Sequence, residues 1–434
     1  MTDRPADIRL TDLADPVYPP AAQPIRDGFA AYGATLRLQP EDMIAAAEQR
    51  TGLSDWGDPG FRERLDVLCD SLRDEAGLSD TGVAVAYEQV VQNLVNRLRL
   101  EALAAAHPEI EDIAVERPIV ICGLPRTGTT HLHNMLAADP ALRHLPYWES
   151  LEPFPAPEEP DPQPRRDRCA MGLDLTNASM PEFKRMHDMT VEHAHEEIQL
   201  LANDISGMLF ETVYHIPSFA AYYKAHDQTP SYAYLKRTLR AMQWLRGGTR
   251  WVLKSPQHLE QFPILLATFP DATFVVTHRD PVEVTLSMAT MISYASRMAA
   301  ARPDPAKTAQ YWLSRAEDLL NGCLRDRDLL PPGQSIDVRF DDFMTDEEGT
   351  IARIYDLAGQ PLDDPARQAM AKFRVEHPRG RHGGVLYNAD DLGLDRNEIA
   401  DRLGAYRKRF VDRDGRAVST RVGSCPENDG GATT

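Results

Sequence analysis

The chain has 434 residues, 42% hydrophobic and 26% charged, an ordinary globular balance with room for one large domain or two smaller ones. Its 47 basic residues are outweighed by 66 acidic ones, and the net charge of −19 argues against non-specific nucleic-acid binding and against polybasic docking on a membrane. Five scattered cysteines (Cys69, Cys122, Cys169, Cys323 and Cys425) show neither CxxC nor metal-ligand spacing, so no disulfide framework and no metal site is expected. The first residues lack a basic segment followed by an apolar one, and no apolar run approaches the roughly eighteen residues of a membrane helix, so a soluble cytoplasmic protein is expected.

In chain order, residues 1–40 mix proline with apolar residues and read as a wrapped arm with one helix. From Pro40 to about His107 the periodicity is helical: one helix opens at Pro40-Glu41-Asp42, another covers Phe61–Leu72, and a third runs from about Thr81 to Ala106. No chemistry is evident in this block, which reads as a helical extension packed on the core or used for homo-oligomerisation. Ile119-Val120-Ile121-Cys122 is a buried strand, and Gly123 opens a loop that ends in a helix starting near Thr129. Prolines forbid regular structure over residues 153–164, a length that suits a lid or a solvent-exposed excursion. Residues 166–247 return to helix and are rich in aromatics (Phe210, Tyr214, Tyr222, Tyr223, Trp244 among them), a subset of which could line an acceptor pocket. Strands follow at Trp251–Leu253, Ala272–His278 and Ile336–Phe340, with helices over about 258–268, 282–330, 346–358 and 363–374. The alternation implies an α/β fold with a parallel sheet covered by helices on both faces. The boundaries expected are 1–115 for the helical extension, 116–415 for the α/β domain and 416–434 for a disordered tail.

The loop at residues 123–130 has the pattern G-x-x-x-x-G-T-T. Strand, glycine loop and helix present backbone N–H groups and a helix N-terminus to an anion. In P-loop NTPases a lysine before the Ser/Thr reaches the β- and γ-phosphates. Thr129 stands there instead, so triphosphate chemistry is incomplete, while Arg126, Thr127, Gly128, Thr129 and Thr130 can still cradle one phosphate. A second cluster is Arg279 at a strand end, with Asp280, Pro281 and Glu283 capping the next helix and Ser287 one turn beyond, so that Arg279 and Ser287 can face one anion. A third is His377-Pro378-Arg379-Gly380-Arg381-His382-Gly383-Gly384, suited to a loop that closes over a phosphate.

Together, Pro125–Thr130 (PRTGTT), Arg279 with Ser287, and the late RGRHGG loop resemble the sulfotransferases that use 3′-phosphoadenosine-5′-phosphosulfate (PAPS), in order and spacing over roughly residues 118–384. The resemblance implies a P-loop NTPase-like three-layer fold in a bacterial member, with PAPS as co-substrate, adenosine 3′,5′-bisphosphate (PAP) as product and no metal. It implies that Arg126, Thr127, Gly128, Thr129 and Thr130 take the 5′-phosphosulfate, that Arg279 and Ser287 take the 3′-phosphate, and that Arg379, Gly380 and Arg381 close over it. Lys254, after the strand at residues 251–253, matches the catalytic lysine of cytosolic members, with Arg126 as its helper. The histidine those members carry two residues later is Pro256 here. In this respect the chain is closer to the Golgi tyrosylprotein sulfotransferases, which use a carboxylate after the first helix.

Glu149 is therefore the first candidate for the general base, His258 the second, and the cluster His193-His195-Glu196-Glu197, read as helical at its two glutamates, the third. The expected reaction is in-line sulfuryl transfer to a hydroxyl or amine of a small-molecule acceptor. The rivals are a P-loop kinase and a catalytically silent nucleotide-binding scaffold.

Overall fold

The structure, a computed structural model, describes residues 4–412, so the expected tail and Cys425 lie outside the described residues. Four parallel strands form the sheet: β1 (Ile119–Cys122), β2 (Val252–Ser255), β3 (Thr273–His278) and β4 (Ser335–Arg339), in the spatial order β2-β1-β3-β4. Cys122 pairs in register with Ser255 on one side and with Val276 on the other. β1 and β2 therefore end level, β3 runs on two residues to His278, and the loops that leave the three strands share one edge, where open α/β sheets bind their ligands.

Helices cover both faces of β1, and its four residues are all apolar, whereas β2 ends in Lys254 and Ser255 and β4 alternates Ser335, Asp337 and Arg339 with Ile336 and Val338. Ile119, Ile121, Val252 and Val275 point to one side, into a cluster with Leu132 and Met135 of the loop's helix and with Ile351, Ile354 and Tyr355 of the helix Glu347–Ala358. Val120, Cys122, Leu253, Phe274 and Val276 point to the other side, against Trp312, Leu313 and Leu320 of the helix Pro305–Asp326. Helix, sheet and helix make the three layers expected.

The N-terminal block consists of α1 (Gln23–Gly33), α2 (Pro40–Thr51), α3 (Phe61–Asp74) and α4 (Asp80–Ala106). Ser79 caps α4, its side chain accepting from the Gly82 N–H. Met43, Phe61, Leu68 and Leu94 of this block share one continuous core with Val120 and Phe274 of the sheet. Polar groups fix the register of that contact. Asn93 and Asn96 each donate to Asn203 Oδ1, at 3.0 and 3.1 Å, and the buried Arg97 donates to Asp204 Oδ1 at 2.7 Å and to the carbonyls of Trp56 and Asp58 at 2.9 and 2.7 Å.

Two expectations are corrected. The segment between the helix Gln163–Ser179 and the short helix Ile198–Leu201 is largely irregular, and Glu196 and Glu197 precede that second helix rather than lie in it. Pro181 disfavours helical geometry at Met180, and Ala194 then forms a bridge with Pro146, which holds the chain extended. The proline-rich loop over residues 152–162 is tied down by Arg168, which bonds Glu152 at 2.7 and 2.8 Å and pairs with Glu159. It contributes nothing to the lining of the main cavity, so it is not a lid over it. Among the described residues no helix is long and apolar enough to cross a membrane.

Because Arg97 is only 1% exposed and its removal takes the donor from the Trp56 and Asp58 carbonyls and leaves Asp204 with Arg64 and Ser231 alone, Arg97→Ala is expected to destabilise the protein by about 2 kcal/mol. A lowered urea midpoint in circular dichroism would show it, and an unchanged midpoint would count against this anchoring role.

Candidate active site

At the end of β1 the chain turns through Gly123, where a side chain is impossible: a Cβ there would stand 1.9 Å from Thr277 Oγ1 on β3. Thr127 Oγ1 closes the loop on itself at 2.7 Å from the Leu124 carbonyl and meets Thr277 Oγ1 at 2.7 Å. Gly128 (φ 87°) takes the left-handed conformation that starts α5 (Thr129–Ala137). Arg126 has a positive φ of 74°, a strained conformation for a residue with a side chain. Its surroundings hold it there. The guanidinium donates to Ser287 Oγ at 2.9 Å, to the Met186 carbonyl, and to the Tyr387 hydroxyl at 3.3 Å. Its own carbonyl accepts from Arg279 at 2.7 Å.

The expected grouping of Arg126, Arg279 and Ser287 is thus present. Arg279 lies flat over the Phe340 ring, 4.1 Å from its centroid. Burial first, and then the neighbouring Arg126 charge, push the Arg279 guanidinium below its usual pKa. Two cations so placed lower each other's stability until an anion joins them. The helix behind Arg279 is capped as expected by Asp280, which accepts from Val282 N–H at 2.9 Å, with Pro281 in the first turn. Glu283 does not complete a capping box; it pairs outward with Arg396.

The late loop faces the same space. Arg379, half-exposed, has a carboxylate of Glu347 at 3.9 Å, Gly380 takes φ 67°, and Arg381 donates to Asp188 at 2.9 Å, with His382 Nε2 3.1 Å from the same carboxylate. The sequence gives no sign of what holds this loop. It is the N-terminal arm: Ile8 N–H donates to the Gly384 carbonyl at 3.1 Å, Leu386 N–H to the Ile8 carbonyl at 2.8 Å, and Gly384 N–H to Asp7 Oδ1 at 2.7 Å. Arg9 adds a bond to Asp391 at 2.8 Å.

Both loops open onto one cavity of about 970 Å³. Arg126, Gly128, Thr130, Arg279, Arg379, Gly380 and Arg381 line one end. The buried Thr127, Thr129 and Ser287 stand behind them. At the far end the wall is made by Met180, Met208, Leu209, Met288, Met291, Ile292 and Met298. The aromatic residues expected to line a pocket are elsewhere: Phe210, Tyr214, Tyr223 and Tyr232 are core residues, and the lining from that region comes from Met208, Leu209, Thr212 and Val213.

The candidate bases are separated by this geometry. Glu149 is 1% exposed and holds Arg143 through both carboxylate oxygens, at 2.8 and 2.7 Å, and Arg246 at 2.7 Å. His258 is fully buried, with Nε2 2.5 Å from Glu197 Oε1 and Nδ1 2.8 Å from the Tyr232 hydroxyl. Neither faces the cavity. Both expectations are therefore corrected: Glu149 is an ion-pair anchor, and Glu197 with His258 and Tyr232 is a buried chain that also receives the Lys254 N–H at 2.7 Å. Lys254 itself lies on β2, almost fully buried, its ammonium bonded to Glu196, and it is Glu196 that reaches the cavity wall. His187, His193 and His195 line the wall next to it, and burial pushes all three imidazoles below their usual pKa, His193 to about 4.

An α/β protein whose central strands end in an arginine-bearing anion loop, opening onto a large chamber with an apolar end, is built to bring an anionic nucleotide group to a second substrate. A model described as the Sulfotransferase family matches residues 118–364, and the chain belongs to that family: it is a PAPS-dependent sulfotransferase. It is similar to sulfotransferase STF1 from Mycobacterium tuberculosis (31% identity, TM-score 0.74, covering 84% of this chain and 98% of that one). It is also similar to sulfotransferase STF9 from Mycobacterium avium (27% identity, TM-score 0.77, covering 86% and 97%). A curated relative from Mycobacterium bovis, omega-hydroxy-beta-dihydromenaquinone-9 sulfotransferase Stf3, is 26% identical over 322 residues, 70% of this chain and 76% of its own length. Family membership decides for sulfuryl transfer over the kinase and the silent scaffold.

Gly123→Ala would drive the loop off Thr277, and PAP affinity measured by calorimetry should fall roughly tenfold or more. Asp7→Ala removes one strap on the late loop and should weaken PAP by a few-fold, on the order of 1 kcal/mol, with little change in melting temperature. Unchanged PAP affinity in both variants would contradict the assignment of these loops to the donor.

Proposed function

We propose that this sulfotransferase moves the sulfuryl group of PAPS to the hydroxyl of an elongated, apolar small-molecule acceptor. The observation that carries the reading is the continuity of the cavity: its anion-gripping end runs without a break into a methionine-rich apolar end. Methionine is unbranched and adaptable, so such a wall fits a flexible hydrocarbon chain better than a flat ring system. The M. bovis relative named for a hydroxylated menaquinone supports the same acceptor class.

In this reading the loop from Arg126 to Thr130 takes the 5′-phosphosulfate, Arg279 and Ser287 take the 3′-phosphate, and Arg379, Gly380 and Arg381 close over it. Glu196 is the general base in place of Glu149 and His258, because its carboxylate is on the cavity wall while the Glu149 carboxylate and the His258 imidazole are held by partners away from it. Lys254 is coupled to it. As the acceptor hydroxyl attacks sulfur, its proton passes to Glu196, the carboxylate becomes neutral, and the ion pair with Lys254 loosens. The released ammonium and Arg126 then meet the charge that grows on the bridging oxygen as the S–O bond to PAP breaks. Binding of the donor and release of PAP need no change in this pair.

The test is transfer of labelled sulfate from PAPS to a series of primary alcohols of increasing isoprenoid or alkyl length. Specificity rising with chain length is expected, and a preference for short polar or phenolic acceptors would overturn the apolar assignment. Glu196→Gln should lower kcat by about a hundredfold or more, and Lys254→Ala by on the order of a hundredfold, about 3 kcal/mol. PAP affinity in Glu196→Gln should stay within a few-fold of wild type; full turnover in that variant would remove Glu196 from the mechanism.

A further inference from the structure

The wall between the two ends of the cavity carries three imidazoles that neither the donor loops nor the Glu196–Lys254 pair uses. His187, His193 and His195 each place a ring nitrogen within 4.8 Å of the other two. The His187 and His193 rings meet edge to face with centroids 5.8 Å apart, and those of His193 and His195 are tilted at 58° with centroids 6.3 Å apart.

The backbone beneath them is pinned although it is irregular. His187 N–H donates to the Phe183 carbonyl at 2.8 Å, His195 N–H to the Leu145 carbonyl at 2.7 Å, and the His193 carbonyl accepts from Tyr147 N–H at 2.9 Å. Ala194 N–H, between the last two histidines, donates to Asn134 Oδ1 at 3.1 Å. The His195 ring is further set by the Tyr147 ring, 4.6 Å away. Three side chains are thus presented from fixed stems.

One of them is incomplete. His195 is only 8% exposed, and its Nδ1 is buried without a hydrogen-bond partner. A buried ring nitrogen left unpaired is costly, and three convergent imidazoles on a cavity wall offer a chemical reason for it.

We propose that His187, His193 and His195 form a binding site for a first-row divalent transition metal such as Zn²⁺, Co²⁺ or Ni²⁺. Imidazole nitrogen suits these ions and does not suit Mg²⁺ or Ca²⁺, which prefer oxygen. Three protein ligands leave a fourth position open, and here it faces the cavity, where an oxygen of a bound molecule or a water can fill it. With metal–nitrogen bonds of about 2.1 Å, tetrahedral ligands stand roughly 3.4 Å apart, so side-chain rotation closes the present spacing. Two cations, Lys254 and Arg126, act on the same imidazoles and oppose binding. Asp188, next to His187 in sequence, opposes them at His193, while its carboxylate also holds Arg381.

The experiment is titration of the chelator-stripped full chain with Co²⁺, read by its visible absorption and by bound metal after gel filtration. One equivalent with the intense d–d bands of a tetrahedral nitrogen site is expected, displaced by Zn²⁺ and indifferent to Mg²⁺. His193→Ala and the near-isosteric His193→Asn should each weaken binding by more than about tenfold, while His226→Ala, in an exposed residue elsewhere, should not. Circular dichroism and PAP binding show in the same samples whether each variant is folded, and the loss in whichever of the two is folded is the reading. Absence of stoichiometric Co²⁺ uptake by the wild type, or uptake unchanged in a folded His193 variant, would overturn the site.

Discussion

Two arginines held side by side at the ends of neighbouring parallel strands are the constraint on which the site depends. Arg126 and Arg279 are joined through the Arg126 carbonyl, and the groups that hold them are neutral: Ser287, Met186, Tyr387 and the face of Phe340. Their repulsion is not relieved by these contacts. It is tolerated because β1, β2 and β3 behind them are buried along their whole length and the loop between them has no freedom, with Gly123 pressed on Thr277 and Thr127 bonded back to Leu124. A rigid positive pocket in a chain of net charge −19 is a local device, specific for an anion that arrives with its own geometry.

The same economy of parts appears around the reacting centre. Glu196 and Glu197 are adjacent in sequence and do opposite things. Glu197 turns inward, bonding His258 and the Lys254 N–H, and so fixes the strand that carries Lys254. Glu196 turns outward to the cavity and engages the lysine's ammonium. The two residues lie in the irregular segment ahead of the helix Ile198–Leu201, so no helical period fixes the angle between their side chains. In a helix the two would have been about 100° apart on one surface.

Much of the fold was legible. Apolar runs of four to six residues alternating with helical periodicity mark a parallel sheet, and the strands lie within a residue or two of where Ile119, Trp251, Ala272 and Ile336 place them. The grouping of Arg126, Arg279 and Ser287 was legible because glycine and arginine at fixed places have few other uses. The surroundings of the candidate bases were not. Glu149 follows a tryptophan at the start of a short helix in the expected place, but its environment depends on Arg143, six residues earlier, and on the distant Arg246, and nothing in the pattern marks either as its partner. The aromatic helices misled for a related reason: composition shows that a segment is apolar, not which of its faces meets the cavity. Nor does the sequence reveal that residues 6–9 strap the late loop, since that contact joins the two ends of the described chain through backbone groups.

The most direct measurement is calorimetric titration of the wild-type chain with adenosine 3′,5′-bisphosphate, ADP and Mg²⁺-ATP under identical conditions. The arrangement of Arg126, Arg279, Ser287 and Arg379 around a loop without the P-loop lysine predicts that the bisphosphate binds at least about tenfold more tightly than either of the others. It also predicts that Arg279→Ala abolishes that preference. Tighter binding of ATP than of the bisphosphate would contradict it.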